Sequence, residues 1–177
     1  MGLTGRLPSY WIIPQWMNWG SYNKSAPEAA RARLYRWPSP EEALTMCLGG
    51  ALVGARGFIF YSFFDMFTSG RENDFAERWP EICSVAEKLN ELAPFLLGDE
   101  PATPLKPLKT DASVKTGTFR ADDGREALVI VAVGPGSASA VFELPGEWES
   151  RCGRTKHENG KWYFAGNDIS CDILYRK

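Results

Sequence analysis

The sequence predicts an α/β part followed by an all-β part. Three observations carry this. A capped helix starting at Ser39 runs through glycines into an almost unbroken apolar stretch, Phe58–Phe64. The first hundred residues read strand, loop, helix, strand, loop, helix, an order that implies parallel strands with a crossover. From Val114 onward, short alternating segments are punctuated by hairpin turn signals.

Taken in order, Tyr10–Ile13 reads as a short buried strand that Pro14 ends, because proline donates nothing to a ladder. Gln15, Trp16, Asn18 and Trp19 come just past its end. Residues 20–37 form a long connection, with a brief helix expected over Ala29–Leu34; connections of this length in compact domains are commonly functional or poorly ordered. Ser39-Pro40-Glu41-Glu42 is a helix start: Ser39 caps, Pro40 suits the first helical position, and Glu42 completes a capping box. Gly54 or Gly57 supplies a left-handed stop. Phe58–Phe64 reads as a strand covered on both faces. Asp65 is the first charge beyond it, at the carboxyl end, where α/β folds carry their ligand sites. A polar loop comes next, then a helix starting at Trp79-Pro80-Glu81, with Ile82, Val85, Ala86, Leu89 and Leu92 at helical spacing. Pro94 is expected to begin a separate short turn that Gly98 closes.

Pro101, Pro104 and Pro107 mark residues 99–111 as a linker. Beyond it, Val114–Arg120, Ala127–Val133, Ala138–Leu144, Trp148–Cys152, Trp162–Ala165 and Ile169–Tyr175 read as strands. Turns are expected at Asp122-Asp123-Gly124, Pro135-Gly136, Pro145-Gly146 and, most strongly, Asn159-Gly160. This pattern suggests a small antiparallel sandwich or barrel.

Composition narrows the function. Of 177 residues, 44% are hydrophobic and 24% charged, with a formal net charge of −2. No basic stripe marks a nucleic-acid surface, and no apolar run reaches membrane-spanning length. Cys47, Cys83, Cys152 and Cys171 make no C-x-x-C pair, and His157 is the sole histidine. No metal site and no cofactor are therefore expected. Cys152 and Cys171 can face each other on neighbouring strands, although free buried thiols are the expectation. Seven tryptophans are enough to ask whether some line a binding surface.

Tyr10-Trp11-Ile12-Ile13-Pro14-Gln15-Trp16, Trp37–Glu42, Gly54–Phe63, Trp79-Pro80-Glu81 and Leu92–Leu97 together resemble the seventh and eighth units of a glycoside-hydrolase-type (β/α)8 barrel. The β-rich remainder is similar to the C-terminal sandwich many such enzymes carry. The resemblance implies a partial TIM-barrel-like segment over 1–98, a linker over 99–111 and an antiparallel β-sandwich over 112–177. It implies a carbohydrate ligand, hydrolysed or bound at the carboxyl ends of the parallel strands, or else a non-catalytic carbohydrate- or protein-binding module. Such barrels place a catalytic Glu after the seventh strand; Pro14, Gln15 and Trp16 stand there instead.

Glycoside hydrolysis generally needs two carboxyl groups about 5–10 Å apart. Asp65 is the candidate catalytic residue, with Glu72 and Asp74 behind it; the plainer reading of Asp65 is a loop carboxylate bonding nearby groups. Gln15, Trp16, Asn18, Trp19 and Tyr61 are the candidate substrate-binding set, since aromatic planes and amides suit the apolar faces and hydroxyl edges of sugars. The plainer reading of Trp16 and Trp19 is packing. Trp148, Trp162 and Tyr163 are read as sandwich core, with a sugar platform as the alternative. Two parallel strands with apolar faces cannot close a barrel, so self-association or a missing N-terminal barrel segment is expected through Tyr10–Ile13 and Phe58–Phe64.

Overall fold

The computed structural model describes residues 10–19, 22, 25, 27, 29, 36–68 and 74–177. All but Ala29 of the expected helix over Ala29–Leu34 lies outside the described residues, as do the Glu72 candidate and the side chain of Asp74.

β1 (Tyr10–Ile12) pairs in parallel with β2 (Ala55–Phe58), with Tyr10 opposite Ala55 and Ile12 opposite Phe58. Between them comes α1 (Pro40–Leu52). Its capping box is formed in full: Glu42 N–H donates to Ser39 Oγ, and Ser39 N–H donates to Glu42. Gly54, at φ +105°, makes the left-handed exit that leads into β2. The strand therefore begins earlier than the apolar run indicates. Pairing does continue past Phe58: Ile59 N–H donates to the Ile12 carbonyl, and a parallel bridge joins Gln15 to Tyr61. After Tyr61 the chain turns and opens α2 (Asp65–Thr68).

Phe58–Phe64 is not covered on both faces, which corrects the sequence expectation. Tyr61 and Phe63 are half-exposed and Phe64 is 76% exposed. On β1 Trp11 is 65% exposed, so that strand is not buried either. The cover that is present comes from α1 and the long helix α3 (Asp74–Leu97), whose shared core takes in Phe58 and Phe60.

α3 runs unbroken, starting upstream of Trp79 and passing through both Pro80 and Pro94. No separate turn forms at Pro94. The apolar spacing outweighs the prolines: Val85, Leu89, Leu92 and Leu96 all bury on one side.

A six-stranded antiparallel sheet completes the chain: β3 (Lys109–Thr110), β4 (Val114–Arg120), β5 (Glu126–Phe142), β6 (Trp148–Ser150), β7 (Thr155–Glu158) and β8 (Lys161–Arg176). β3 lies within the stretch 99–111, and Leu105 packs on the sheet's inner core. β5 and β8 are each one long strand where two were expected. Pro135-Gly136 does not reverse the chain. It bends β5, with the register shifting between Val133 and Ser137 and Gly136 at φ +88°. Proline and a left-handed glycine interrupt a ladder, but both flanks keep the same partner, β8.

The bend divides the sheet into two layers. β4, the first half of β5, the second half of β8 and β6 form one; β3, the second half of β5, the first half of β8 and β7 form the other. Between them lies a core of Leu128, Ile130, Ala140, Phe142, Trp148, Trp162, Phe164 and Leu174. The alternate residues of β5, Ala127, Val129 and Val131, face the helices and share a second core with Leu44, Leu48, Leu92 and Trp16. One apolar cluster thus joins the α/β part to the antiparallel sheet, and each fully buried leucine in it contributes about 1.5–3 kcal/mol. Two bidentate ion pairs tie the same boundary, Arg154 to Glu41 at 2.7 Å and Arg151 to Glu91 at 2.6 and 2.8 Å.

Candidate functional site

The carboxyl ends of β1 and β2 bring together most of the residues singled out from the sequence. The parallel register does this: Trp16 N–H donates to the Tyr61 carbonyl at 2.8 Å, which fixes Gln15 beside Tyr61. Gln15 Nε2 donates to the Met17 carbonyl at 3.0 Å. Trp19 is half-exposed, and Tyr22 tilts against it with ring centroids 6.1 Å apart.

Asp65 opens α2 and is only 2% exposed. Tyr22 Oη donates to its Oδ1 at 2.6 Å, and Ser62 Oγ donates to its Oδ2 in a short contact. Both carboxylate oxygens are therefore engaged, which satisfies a buried charge. The same contact holds the Tyr22 phenol: the hydrogen bond to Asp65, then burial and the charge of Asp65, push it up to about 12. Asp65 in this arrangement acts on Tyr22 and Ser62 and anchors the loop that carries Trp19.

Gln15 and Trp19 line an open cleft of about 350 Å³ together with Arg36, Pro38, Glu42, Met46 and Ile169. Arg36 and Glu42 form a bidentate pair, Nη1 to Oε2 at 2.6 Å. Arg36 then holds the Glu42 carboxyl down to about 2, against burial and helped by Ser39. The cleft thus combines an indole face, an amide, a guanidinium and an ionised carboxylate.

Trp16 is placed differently. It is 1% exposed, meets Trp37 edge-on at 5.8 Å, and its indole N–H has no acceptor among the described residues. With Phe60, Ser62, Phe63, Trp79 and α3 side chains it walls a second, apolar hollow of about 220 Å³. Tyr61 is half-exposed beside Gln15, and Asn18 is partly buried between Trp16 and Trp19 in sequence. In the antiparallel sheet, Trp148 and Trp162 are core, and Tyr163 alone of that trio is exposed. His157 stacks on Trp162 at 4.8 Å. Among the described residues, no three His, Cys, Asp or Glu side chains converge as a metal site would require.

Sequence reasoning missed Tyr22, Arg36 and Ser62, and took Glu42 only as a cap. The long connection after Trp19 was the available signal for Tyr22, and Arg36 lies at the mouth of a helix whose first turn is acidic. Ile169 comes from the far end of the chain, and no local pattern announces it. A scan of protein-family models and searches of curated proteins and solved structures find no match to this chain.

Proposed function

We propose that the chain binds carbohydrate at the carboxyl ends of β1 and β2, in a cleft descended from the substrate site of a glycoside-hydrolase-type (β/α)8 barrel. The observation that carries this reading is the meeting of the half-exposed Trp19 with Gln15, Arg36 and Glu42 around one cleft. An indole stacks on the apolar face of a pyranose, and the three polar groups are suited to its hydroxyls. Binding is favoured over hydrolysis because Asp65 has both oxygens engaged by Tyr22 and Ser62. That leaves Glu42 as the carboxylate in the cleft, whereas glycoside cleavage generally uses two.

The reading includes a cover for the exposed aromatic face of β1 and β2, by a second copy of the chain or by further β-α units. Titration calorimetry against a panel of oligosaccharides tests the ligand. At least one is expected to bind, and Trp19→Ala is expected to weaken it about tenfold, equivalent to ~1.4 kcal/mol. Binding unaffected by Trp19→Ala would move the site elsewhere. Turnover of aryl glycosides that Asp65→Asn abolishes would replace binding with hydrolysis.

A further inference from the structure

A second cleft, of about 530 Å³, opens between α1, α3 and the connection from β6 to β7. Glu41, Lys88, Arg151 and Arg154 line its walls, with Cys152 and Cys171 among the lining residues. This cleft shares no residue with the Trp19 site.

The two cysteines are brought together by construction. β6 pairs with β8 up to Ser150 opposite Leu174, and Arg151 N–H still donates to the Ile173 carbonyl at 2.8 Å. Asp172, fully buried, then captures the turn: it accepts from Cys152 N–H at 2.9 Å, Ser150 Oγ at 2.7 Å and Ile173 N–H at 2.8 Å. Gly153, at φ +76°, donates to Ser150 Oγ and completes the turn. Cys152 is thereby held on the same cleft and the same core cluster as Cys171, whose Sγ donates to the Glu41 carbonyl at 4.0 Å. Cys171 is fully buried, whereas Cys152 is only partly so, which leaves Cys152 as the sulfur open to attack from the cleft.

We propose that Cys152 and Cys171 form a reversible dithiol–disulfide couple that exchanges with small anionic disulfides entering this cleft. Cys152 is the attacking sulfur and Cys171 the resolving one. The Cys152 thiolate attacks one sulfur of the small disulfide; a mixed disulfide forms and one thiolate departs. The Cys171 sulfur then attacks Cys152 Sγ, displacing the second small thiolate. The protons lost by the two cysteines pass to the two released thiolates. One small disulfide is reduced to two thiols as the protein dithiol is oxidised to one disulfide.

The surroundings fit this assignment of roles. The neighbouring Cys171 draws Cys152 below the usual thiol range, against burial and Asp172, with Lys88 assisting. Cys152 beside it and burial push Cys171 up. Arg154 is paired with Glu41 and Arg151 with Glu91, so Lys88 is the cation of the cleft that suits an oxidant carrying carboxylates. Cys47 serves as an internal contrast: it is fully buried, and burial pushes its thiol up to about 12.

Oxidised glutathione is the probe, applied to the full, reduced chain and to Cys83→Ser, which removes the other partly exposed thiol. Intact mass and peptide mapping are expected to show loss of two hydrogens and a Cys152–Cys171 link in both. Cys171→Ser is expected to retain one glutathione on Cys152. Because Cys171 is buried and its replacement endangers folding, the wild-type time course gives an independent reading. Glutathione should pass transiently through Cys152, which should react ~10-fold faster than Cys83. Reaction at Cys83 with Cys152 untouched, a stable glutathione adduct on Cys152 in the wild type, or a link involving Cys47 would each overturn the proposal.

Discussion

At the residue scale, Glu42 has two roles that can be separated. It caps α1 through Ser39 N–H, and it pairs with Arg36 at the Trp19 cleft. Its carboxyl lies near 2 in the folded protein, chiefly through Arg36, against an ordinary value of 4.5. A depressed folded value means the contribution is fully present above about 4.5 and is lost as pH falls toward about 2. Gln at this position keeps a capping acceptor but carries no charge. Glu42→Gln should therefore be less stable than the wild type at neutral pH, and the difference should vanish by pH ~2. Urea titrations across that range measure it; a constant difference would show that the ion pair contributes nothing.

At the element scale, the end of α3 is seated directly on β4. A methyl group at Gly98 would stand 2.1 Å from the Arg120 carbonyl oxygen and 3.2 Å from Ala121 Cα, both backbone atoms that cannot rotate away. Gly98→Ala should cost about 1–3 kcal/mol, read as a lowered urea midpoint with an unchanged slope. Elements were legible in the sequence where local chemistry decides them. Ser39 to Glu42 spells a capping box, and Asn159-Gly160 makes the β7–β8 hairpin with both residues at positive φ. The same reading failed where tertiary pairing decides. Pro135-Gly136 carries the chemistry of a turn, but β8 pairs with β5 on both sides of it, so the chain bends and continues. Phe58–Phe64 carries the composition of a buried strand, yet composition reports what a segment would gain by cover, not whether cover is there. Of the residues that line the candidate cleft, Gln15 and Trp19 stand out in the sequence as an amide and an indole just past an apolar run. Ile169 does not, since a bend in a β-strand has no one-dimensional signature, and the long connection after Trp19 marks a segment without singling out Tyr22.

At the scale of the whole molecule, the α/β part offers an unusual surface. Tyr10, Trp11, Ile13, Ile59, Tyr61, Phe63 and Phe64 are all substantially exposed on or beside two short parallel strands. Parallel sheets are generally covered on both faces, and this many exposed apolar side chains around one sheet mark an interaction surface. The chain should therefore self-associate at micromolar concentration when isolated. Light scattering is expected to give a mass above that of one chain, and Trp11→Lys with Ile13→Lys should return it to a monomer. A monodisperse wild-type monomer would count against a cover of this kind.

The bend in β5 has a consequence for how the chain finds its alignment. Both faces of the first half of β5 are apolar, Ala127, Val129 and Val131 on one and Leu128, Ile130 and Ala132 on the other. In most half-buried strands a slip by one position exposes grease to water and is rejected. Here such a slip would merely exchange one oily set for another, and polarity would not object. The corner at Gly134, where a side chain would strike the Asp168 backbone at 2.5 Å, offers only one seat against β8. It works as a locating pin: the strand is threaded by hydrophobicity and indexed by a glycine.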